Sequence, residues 1–221
     1  MGRGGPRFES GHSDPMERLK IPRVSLDTPG FCSHANVVAG AKAFGIHHFC
    51  QDDIHQYVSD PDWGTEPDEM VEMGLHFLPE THVMARQNWS FKQIEKLLNE
   101  ARMVVILDIT DDLQRVSNIT HRLVNNVDGH YVILSGIRDI KGIKYGKIID
   151  PSQEEIVKPG ACGAILTEEE NVYWLPLDLL DGIWNDENKD GSLNDHWALV
   201  MLHPEDDPSI LEKYRNQGKI S

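Results

Sequence analysis

The feature that most constrains the fold is an amphipathic helix that leads directly into an apolar strand. Residues 90–102 (SFKQIEKLLNEAR) begin with Ser90, a residue suited to the N-cap of a helix, and then place apolar side chains along one face. The next residues, 103–110 (MVVILDIT), form an apolar run typical of a central β-strand. This succession predicts a domain in which helices pack against a sheet with a buried middle strand.

The remaining elements extend this pattern. Three further strands are predicted over residues 129–139 (GHYVILSGIRD), 145–152 (YGKIIDPS) and 197–204 (WALVMLHP). Helices are predicted over residues 32–45, 50–60, 67–77 and 175–184. Residues 137–146 (IRDIKGIKYG) are predicted to join two of the strands as a hairpin. Because helices come first and antiparallel strands second, the expected class is α+β, with N-terminal helices packed on an antiparallel β-sheet.

Length and composition predict one main domain. The chain has 221 residues, of which 39% are hydrophobic, and this is enough for one substantial core. Residues 1–15 (MGRGGPRFESGHSDP) are rich in Gly, Ser, Pro and charge. They lack the apolar centre of a signal peptide and are predicted to be a disordered tail. We therefore expect a single domain over residues 16–221.

Charge and cysteine content exclude several classes of function. The formal net charge of −15 repels phosphate backbones and anionic lipids, which argues against nucleic acid and membranes as partners. No apolar run reaches the roughly 20 residues of a membrane helix. The three cysteines, Cys32, Cys50 and Cys162, are an odd number without CxxC spacing. They predict a reduced protein and a cytoplasmic location, and the sequence leaves the oligomeric state open.

A cysteine, a histidine and an aspartate are predicted to meet at one edge of the sheet. Cys32 opens an apolar helix (CSHANVVAGAKAFG), where the helix dipole and free N–H groups stabilise a thiolate. His130 begins one strand and Asp150 ends the next. In an antiparallel hairpin, the start of one strand lies beside the end of its partner. These residue types supply a nucleophile, a base, and an acceptor that orients the base.

Four segments together resemble the C39-like branch of the papain-like cysteine peptidases. They are FCSHANVVAGAKAFG, SFKQIEKLLNEARMVVILDI, GHYVILSGI and IIDPS, and the resemblance spans residues 29–203. It implies a papain-like fold with Cys32 as nucleophile, His130 as general base and acid, and Asp150 as the residue that orients His130. It also implies a peptide or small amide as substrate and no cofactor.

The chain departs from that family at two positions. Members commonly carry a Gln shortly before the nucleophile, where its side chain helps to bind the oxyanion, but here the stretch reads SLDTPGF. Ser33 follows Cys32 where Gly is usual. Loss of one oxyanion donor typically lowers the rate by about 10²–10³. The backbone N–H of Cys32 remains as a donor, and Thr28 is a candidate substitute for the missing side chain.

Other polar clusters allow different interpretations. His34 is an alternative base, although it is expected on another face of the helix than Cys32 and is better explained as a helix-start or groove residue. His47, His48 and His55 suggest a metal, but adjacent residues point in different directions, so solvated or capping roles are preferred. Asp186, Asn188 and Asp190 match the start of a calcium loop, yet position 12 is Trp197 instead of a bidentate Glu. A hairpin turn at Asp190-Gly191 is the preferred interpretation there, with weak calcium binding as the alternative.

The resulting functional hypothesis is a cysteine-dependent hydrolase, a peptidase or amidase. The loop over residues 61–67, with Trp63, is expected to line the substrate cleft. Two alternatives stay open from the sequence. The same three residues serve an acyltransferase, or the domain binds peptides without catalysis.

Overall fold

The computed structural model describes residues 19–25, 31–59, 64–109, 129–152, 163–184 and 195–215. Its centre is a seven-stranded sheet in the order β1-β7-β2-β3-β4-β6-β5, with every neighbouring pair antiparallel. The strands are β1 Val83–Arg86, β2 Met103–Ile109, β3 His130–Ile140, β4 Ile143–Ile149, β5 Ile165–Leu166, β6 Val172–Pro176 and β7 Ala198–Leu202. The antiparallel α+β class predicted from the sequence is confirmed.

Helices cover both faces of this sheet. The helices are α1 Cys32–Ala43, α2 Pro67–Leu75, α3 Phe91–Glu100, α4 Leu177–Ile183 and α5 Ser209–Arg215. The N-terminal helices α1 and α2 pack on one face as predicted, and α3, α4 and α5 form a second core on the other. The succession of elements is therefore more interleaved than helices followed by strands, because α3, α4 and α5 alternate with strands along the chain.

Strand β2 explains why one sheet supports two cores. All seven of its side chains are buried, and successive side chains of a strand point to opposite faces. Val104 and Ile106 pack toward α1 and α2, whereas Val105 and Leu107 pack toward the opposite helices. A strand covered on both faces has to be apolar almost throughout, and this is the pattern of the MVVILDI run.

The β3–β4 hairpin has the tight connection expected from the sequence. Lys141 and Gly142 both take positive φ values, 55° and 84°, as a two-residue type I′ turn requires. The register pairs Ile140 with Ile143 next to the turn and Ile133 with Ile149 near the far end. The start of β3 and the end of β4 therefore lie side by side at the same end of these two interior strands.

Helix α1 is buried along nearly its whole length, from Cys32 to Ala41, and it packs across β3. Its side chains are small where it crosses the sheet. A Cβ atom added at Gly40 would lie 2.6 Å from the Cε atom of Met201. Gly45, with a φ of 84°, ends the helix as predicted.

The segment over residues 50–60 differs from its prediction. In place of an amphipathic α-helix, it contains two short 3₁₀ turns, Gln51–Asp53 and His55–Tyr57. The side chain of Asp53 accepts the backbone N–H of Cys50 at 2.7 Å, and such local side-chain bonds favour turns over continuous helix. The predicted tail, residues 1–15, lies outside the described residues.

Candidate active site

The predicted nucleophile, base and orienting residue come from three different elements. Cys32 is the first residue of α1, His130 is the first residue of β3, and Asp150 directly follows β4. All three are buried. The juxtaposition of His130 and Asp150 that hairpin geometry predicts is present, and α1 brings the thiol to the same end of β3 and β4.

His130 and Asp150 form a hydrogen-bonded pair. Nε2–H of His130 donates to Oδ1 of Asp150 at 3.1 Å. Burial opposes protonation of the imidazole, but the charge of Asp150, the hydrogen bond to it and the Cys32 side chain together raise the pKa of His130 well above its usual 6.5. Burial also opposes ionisation of Asp150, but the charge and hydrogen bond of His130 and the bonds from Ser152 hold the pKa of Asp150 below 3.8. Both effects favour a charged imidazolium–carboxylate pair.

The thiol of Cys32 meets two groups of β3. The backbone N–H of Tyr131 donates to its Sγ atom at 3.4 Å, and its side chain also lies within hydrogen-bonding reach of His130. The N–H of Ala35 donates to the carbonyl of Phe31 and so makes the first i→i−4 bond of the helix. The N–H groups of the three preceding residues therefore lie at the open end of the helix, where they favour negative charge.

The backbone around Asp150 is held from two sides. Nε of Arg23 donates to the carbonyl of Asp150 at 3.0 Å, and its guanidinium also donates to the carbonyl of Ser152. Nδ2 of Asn171 donates to the same Ser152 carbonyl at 2.6 Å. Arg23 belongs to the segment before α1, whereas Asn171 immediately precedes β6. These contacts fix the turn that carries the carboxylate.

Ser33, at the position where the family usually has Gly, connects α1 to the loop before α2. Its Oγ atom lies 2.7 Å from Oγ1 of Thr65, and the hydroxyl of Tyr131 donates to the Thr65 carbonyl at 2.9 Å. This C-terminal part of the predicted cleft loop therefore packs beside Cys32. Trp63, the residue expected to line the cleft, lies outside the described residues.

His34 packs against neighbouring aromatic rings. Its ring packs against Phe31 and His55, with centroid distances of 4.6 and 5.7 Å, and Nδ1 lies 3.1 Å from Oγ of Ser33. Burial is the main effect that lowers the pKa of His34 to about 4, with a further lowering by the charge of His55 and an opposing effect of Glu69. A neutral imidazole in this packed position agrees with the structural role preferred for His34.

The remaining polar predictions have separate outcomes. Thr28, Cys162 and the calcium-like residues Asp186, Asn188 and Asp190 lie outside the described residues. Cys50 is free and exposed. Within the described ranges, no three His, Cys, Asp or Glu side chains are grouped closely enough to hold a metal ion. Over the same ranges, no helix is both long and apolar enough to cross a bilayer.

Comparison with known proteins identifies the fold. No protein-family model matches the chain, and no curated protein sequence matches it either. The peptidase domain of Streptococcus ComA, a bi-functional ABC transporter involved in a quorum sensing pathway, superposes with a TM-score of 0.50 at 14% sequence identity. The alignment covers 86% of this chain and 99% of that domain. This chain has the C39-like peptidase fold.

A second solved structure is a double glycine motif protease from an AMS/PCAT transporter, in complex with its leader peptide. It aligns over 84% of this chain and 92% of its own, with a TM-score of 0.48 and 12% identity. The assignment of the C39-like fold rests on the ComA domain. The fold expected from the order of the four sequence segments is thereby confirmed.

Several residues that surround the predicted site were not expected from the sequence. Tyr173 donates its hydroxyl to Oδ2 of Asp150 at 3.1 Å, and it lies on β6, a strand that was not predicted. The available signal was the apolar, aromatic run of residues 172–175 (VYWL) after a polar turn. Arg23 gave no signal, because a single arginine in a polar segment does not indicate which backbone it contacts.

Proposed function

We propose that the chain is a cysteine-dependent hydrolase that acts on a peptide or amide bond, with Cys32 as nucleophile, His130 as general base and acid, and Asp150 as the residue that orients His130. The observation that carries this proposal is the buried His130–Asp150 hydrogen bond, together with the Cys32 side chain within hydrogen-bonding reach of the same imidazole. Nucleophile, base and orienting group in this succession are the arrangement that thiol catalysis requires.

The reaction begins with proton transfer from the Cys32 thiol to His130. Asp150 stabilises the imidazolium, while the N–H of Tyr131 and the open end of α1 stabilise the thiolate. Sulfur then attacks the carbonyl carbon, and the negative charge moves to the carbonyl oxygen. When the intermediate collapses, the bond between the carbonyl carbon and the amide nitrogen breaks, and His130 returns its proton to the departing amine.

The second half of the reaction regenerates the thiol. A water molecule loses a proton to His130 and attacks the thioester carbon. The carbon–sulfur bond breaks, the acyl group leaves as a carboxylic acid, and His130 returns the proton to the sulfur of Cys32. The backbone N–H of Cys32 is the oxyanion donor in both halves, because it lies at the open end of α1 beside the attacking sulfur.

A peptide is the substrate class best supported. The ComA domain with the same fold is a peptidase domain, and the order of the sequence segments resembles that of C39-like peptidases. The chain lacks the family's Gln in the stretch before Cys32, so we expect slower turnover than in relatives that have it. A reactive, reduced thiol also fits the cytoplasmic location inferred from the cysteine content.

Thiol alkylation tests the nucleophile with a reference inside the same chain. Iodoacetamide labelling of Cys32 and of exposed Cys50 is followed by peptide mass mapping over a range of pH values. We expect Cys32 to react at least about tenfold faster than Cys50 near pH 6, because an imidazolium keeps its sulfur ionised. His130→Ala should remove this advantage and leave Cys50 unchanged. Equal rates for the two cysteines in the unaltered chain would refute the proposal.

Peptide cleavage tests the reaction itself. Incubation with a mixed peptide library, with Cys32→Ser as control, should yield new carboxyl termini only with the unaltered chain. Addition of a primary amine separates hydrolysis from acyl transfer, because transfer yields an amide in place of the acid. A reactive Cys32 that cleaves and transfers nothing would instead indicate a binding domain.

A further inference from the structure

The carboxylate of Asp150 is held by donors on both of its oxygens. Oδ1 accepts Nε2–H of His130 at 3.1 Å and the backbone N–H of Ser152 at 2.9 Å. Oδ2 accepts the hydroxyl of Tyr173 at 3.1 Å. The three donors come from β3, from the turn after β4, and from β6.

Hydrogen bonds restrain the backbone of the turn that carries Asp150. Arg23 and Asn171 bind the carbonyl groups of Asp150 and Ser152, so the backbone is restrained from two sides. The terminal torsion of an aspartate is broad and has no sharp intrinsic preference. The hydrogen bonds to Oδ1 and Oδ2 therefore determine which oxygen faces His130.

We propose that Tyr173 is a positioning residue whose hydroxyl holds Oδ2 of Asp150 and thereby keeps Oδ1 on Nε2 of His130. The inference rests on the proposed function and adds a fourth residue to its site. Tyr173 takes no direct part in the reaction at Cys32 and acts through Asp150.

The position of Tyr173 suits this role. The register of β4 and β6 pairs Tyr173 with Ile148 and Val172 with Ile149, which brings Tyr173 beside the end of β4. Its ring is buried in the core on the face of α3, α4 and α5. Burial, together with the charge of Asp150 and the hydrogen bond to it, raises the pKa of Tyr173 well above 10, so the hydroxyl stays protonated and remains a donor.

Loss of the Tyr173 hydroxyl should raise the pH at which the Cys32 thiolate forms. A buried, charged oxygen that loses a hydrogen-bond donor is destabilised. Asp150 can relieve that cost by turning Oδ2 toward other donors or by taking up a proton. Both responses reduce the stabilisation that the Asp150 carboxylate gives to the protonated imidazole of His130. The imidazolium is then less stable, and the Cys32 thiolate that depends on it forms at higher pH.

The test is the pH profile of Cys32 alkylation in Tyr173→Phe. Phenylalanine fills the same space, so the variant removes the hydroxyl and leaves the packing of the ring. We expect the pH at half-maximal alkylation rate to rise by about one unit. The matched control is Tyr145→Phe on β4, about 10 Å along the strand from the partner of Tyr173. In Tyr145→Phe, the pH profile of Cys32 alkylation should be the same as in the unaltered chain.

A double-mutant cycle separates positioning from a general effect on the fold. In an Asp150→Ala background, Tyr173→Phe should shift the alkylation profile no further, because the two residues act as one unit. An equal shift in both backgrounds, no shift in Tyr173→Phe, or a shift to lower pH would each overturn the proposal.

Proton exchange of the Tyr173 hydroxyl tests the hydrogen bond in the unaltered chain, without any substitution. A Tyr173 hydroxyl proton that exchanges with water as fast as that of free tyrosine would also overturn the proposal.

The outcomes for Tyr173 and for the proposed function are distinct. If Cys32 of the unaltered chain reacts no faster than Cys50, the hydrolase proposal fails and no positioning role remains. If Cys32 is activated and Tyr173→Phe keeps the same profile, the hydrolase proposal stands and only the inference about Tyr173 fails.

Discussion

The backbone N–H of Tyr131 donates to the sulfur of Cys32 at 3.4 Å, across 99 positions of sequence. Its neighbour in the chain, His130, carries the imidazole that the same thiol reaches. The first two residues of β3 thus contact the predicted nucleophile, one through the backbone and one through the side chain. Any displacement of α1 along β3 changes both contacts together, so the packing of α1 on the sheet is part of the site.

The His130–Asp150 pair predicts a bell-shaped contribution to stability. The pKa of His130 is raised in the folded state, so its contribution is complete below pH 6.5 and is lost as pH rises through the raised value. The pKa of Asp150 is lowered, so its contribution is complete above pH 3.8 and is lost as pH falls through the lowered value. The pair therefore stabilises the fold most between pH 3.8 and 6.5.

Urea unfolding of His130→Gln at a series of pH values measures this contribution. The free energy of unfolding should fall by about 2 kcal/mol relative to the unaltered chain within that window, and by less on either side. The control is the same change at exposed His48, which should have little effect. A difference that stays constant from pH 3 to pH 9 would show that the pair is not ionised in the folded chain.

His34→Asn tests the rival base and an acid-sensitive element of the fold. The pKa of His34 is about 4 when folded, against 6.5 for a free histidine, so the unfolded chain binds the proton more strongly between those values. The unaltered chain should lose about 3 kcal/mol of stability from this residue as pH falls from 7.5 to 4, and the variant should not. Asparagine retains a hydrogen-bonding partner for Ser33.

Cys32 alkylation in the same variant distinguishes the two histidines. If His34 is only structural, the rate near pH 6 should match that of the unaltered chain. A rate reduced to that of Cys50 would mean that His34, and not His130, activates the thiol.

Four strands and the juxtaposition of His130 and Asp150 could be predicted from the sequence, but most of the residues around this candidate site could not. Apolar runs bounded by turn residues predicted β2, β3, β4 and β7, and the signal is strongest in β2 and β7, whose side chains are all buried. Hairpin logic then placed His130 beside Asp150. This works because a two-residue turn such as Lys141-Gly142 fixes the register of its flanking strands.

Other features depended on distant contacts that no short pattern encodes. Strand β5 has two residues and β1 has four, too few for alternation to be recognised. The 3₁₀ turns after α1 replaced a predicted helix because the Asp53 side chain bonds to the nearby backbone. Tyr173 and Arg23 reach Asp150 only after the sheet and the N-terminal segment are assembled. Such partners follow from tertiary structure and not from spacing.

Arg23 is predicted to support the Asp150 turn in a way that lysine cannot reproduce. Its planar guanidinium donates to two carbonyl oxygens at once, and a lysine ammonium lacks that fork geometry. We expect Arg23→Lys and Arg23→Ala to lower the free energy of unfolding similarly, by about 1–2 kcal/mol, and to slow Cys32 alkylation near pH 6.

The control for Arg23 is its own ion pair. Arg23 also bonds to Glu170 at 3.3 Å, but the Glu170 side chain is 68% exposed. Exposed ion pairs contribute little, so Glu170→Gln should change the free energy of unfolding by less than about 0.5 kcal/mol. If Glu170→Gln were as damaging as Arg23→Ala, the ion pair and not the backbone contacts would be the source of the effect.

Asn36 is predicted to fix the position of α1 and, through it, the reactivity of the thiol. Its Nδ2 atom donates to the carbonyl of Tyr131 at 2.7 Å, one helical turn after Cys32 and on the residue whose N–H contacts the sulfur. Asn36→Ala removes this hydrogen bond to the Tyr131 carbonyl, which should lower the free energy of unfolding by about 1 kcal/mol. Because α1 is then less tightly held against β3, Cys32 alkylation near pH 6 should slow several-fold under conditions in which the variant is fully folded.

The matched control is Asn99→Ala, a change at an exposed residue of α3. It should change the free energy of unfolding and the alkylation rate much less than Asn36→Ala does. A destabilised Asn36→Ala whose Cys32 still reacts at the original rate would mean that the thiol is held in place by β3 alone.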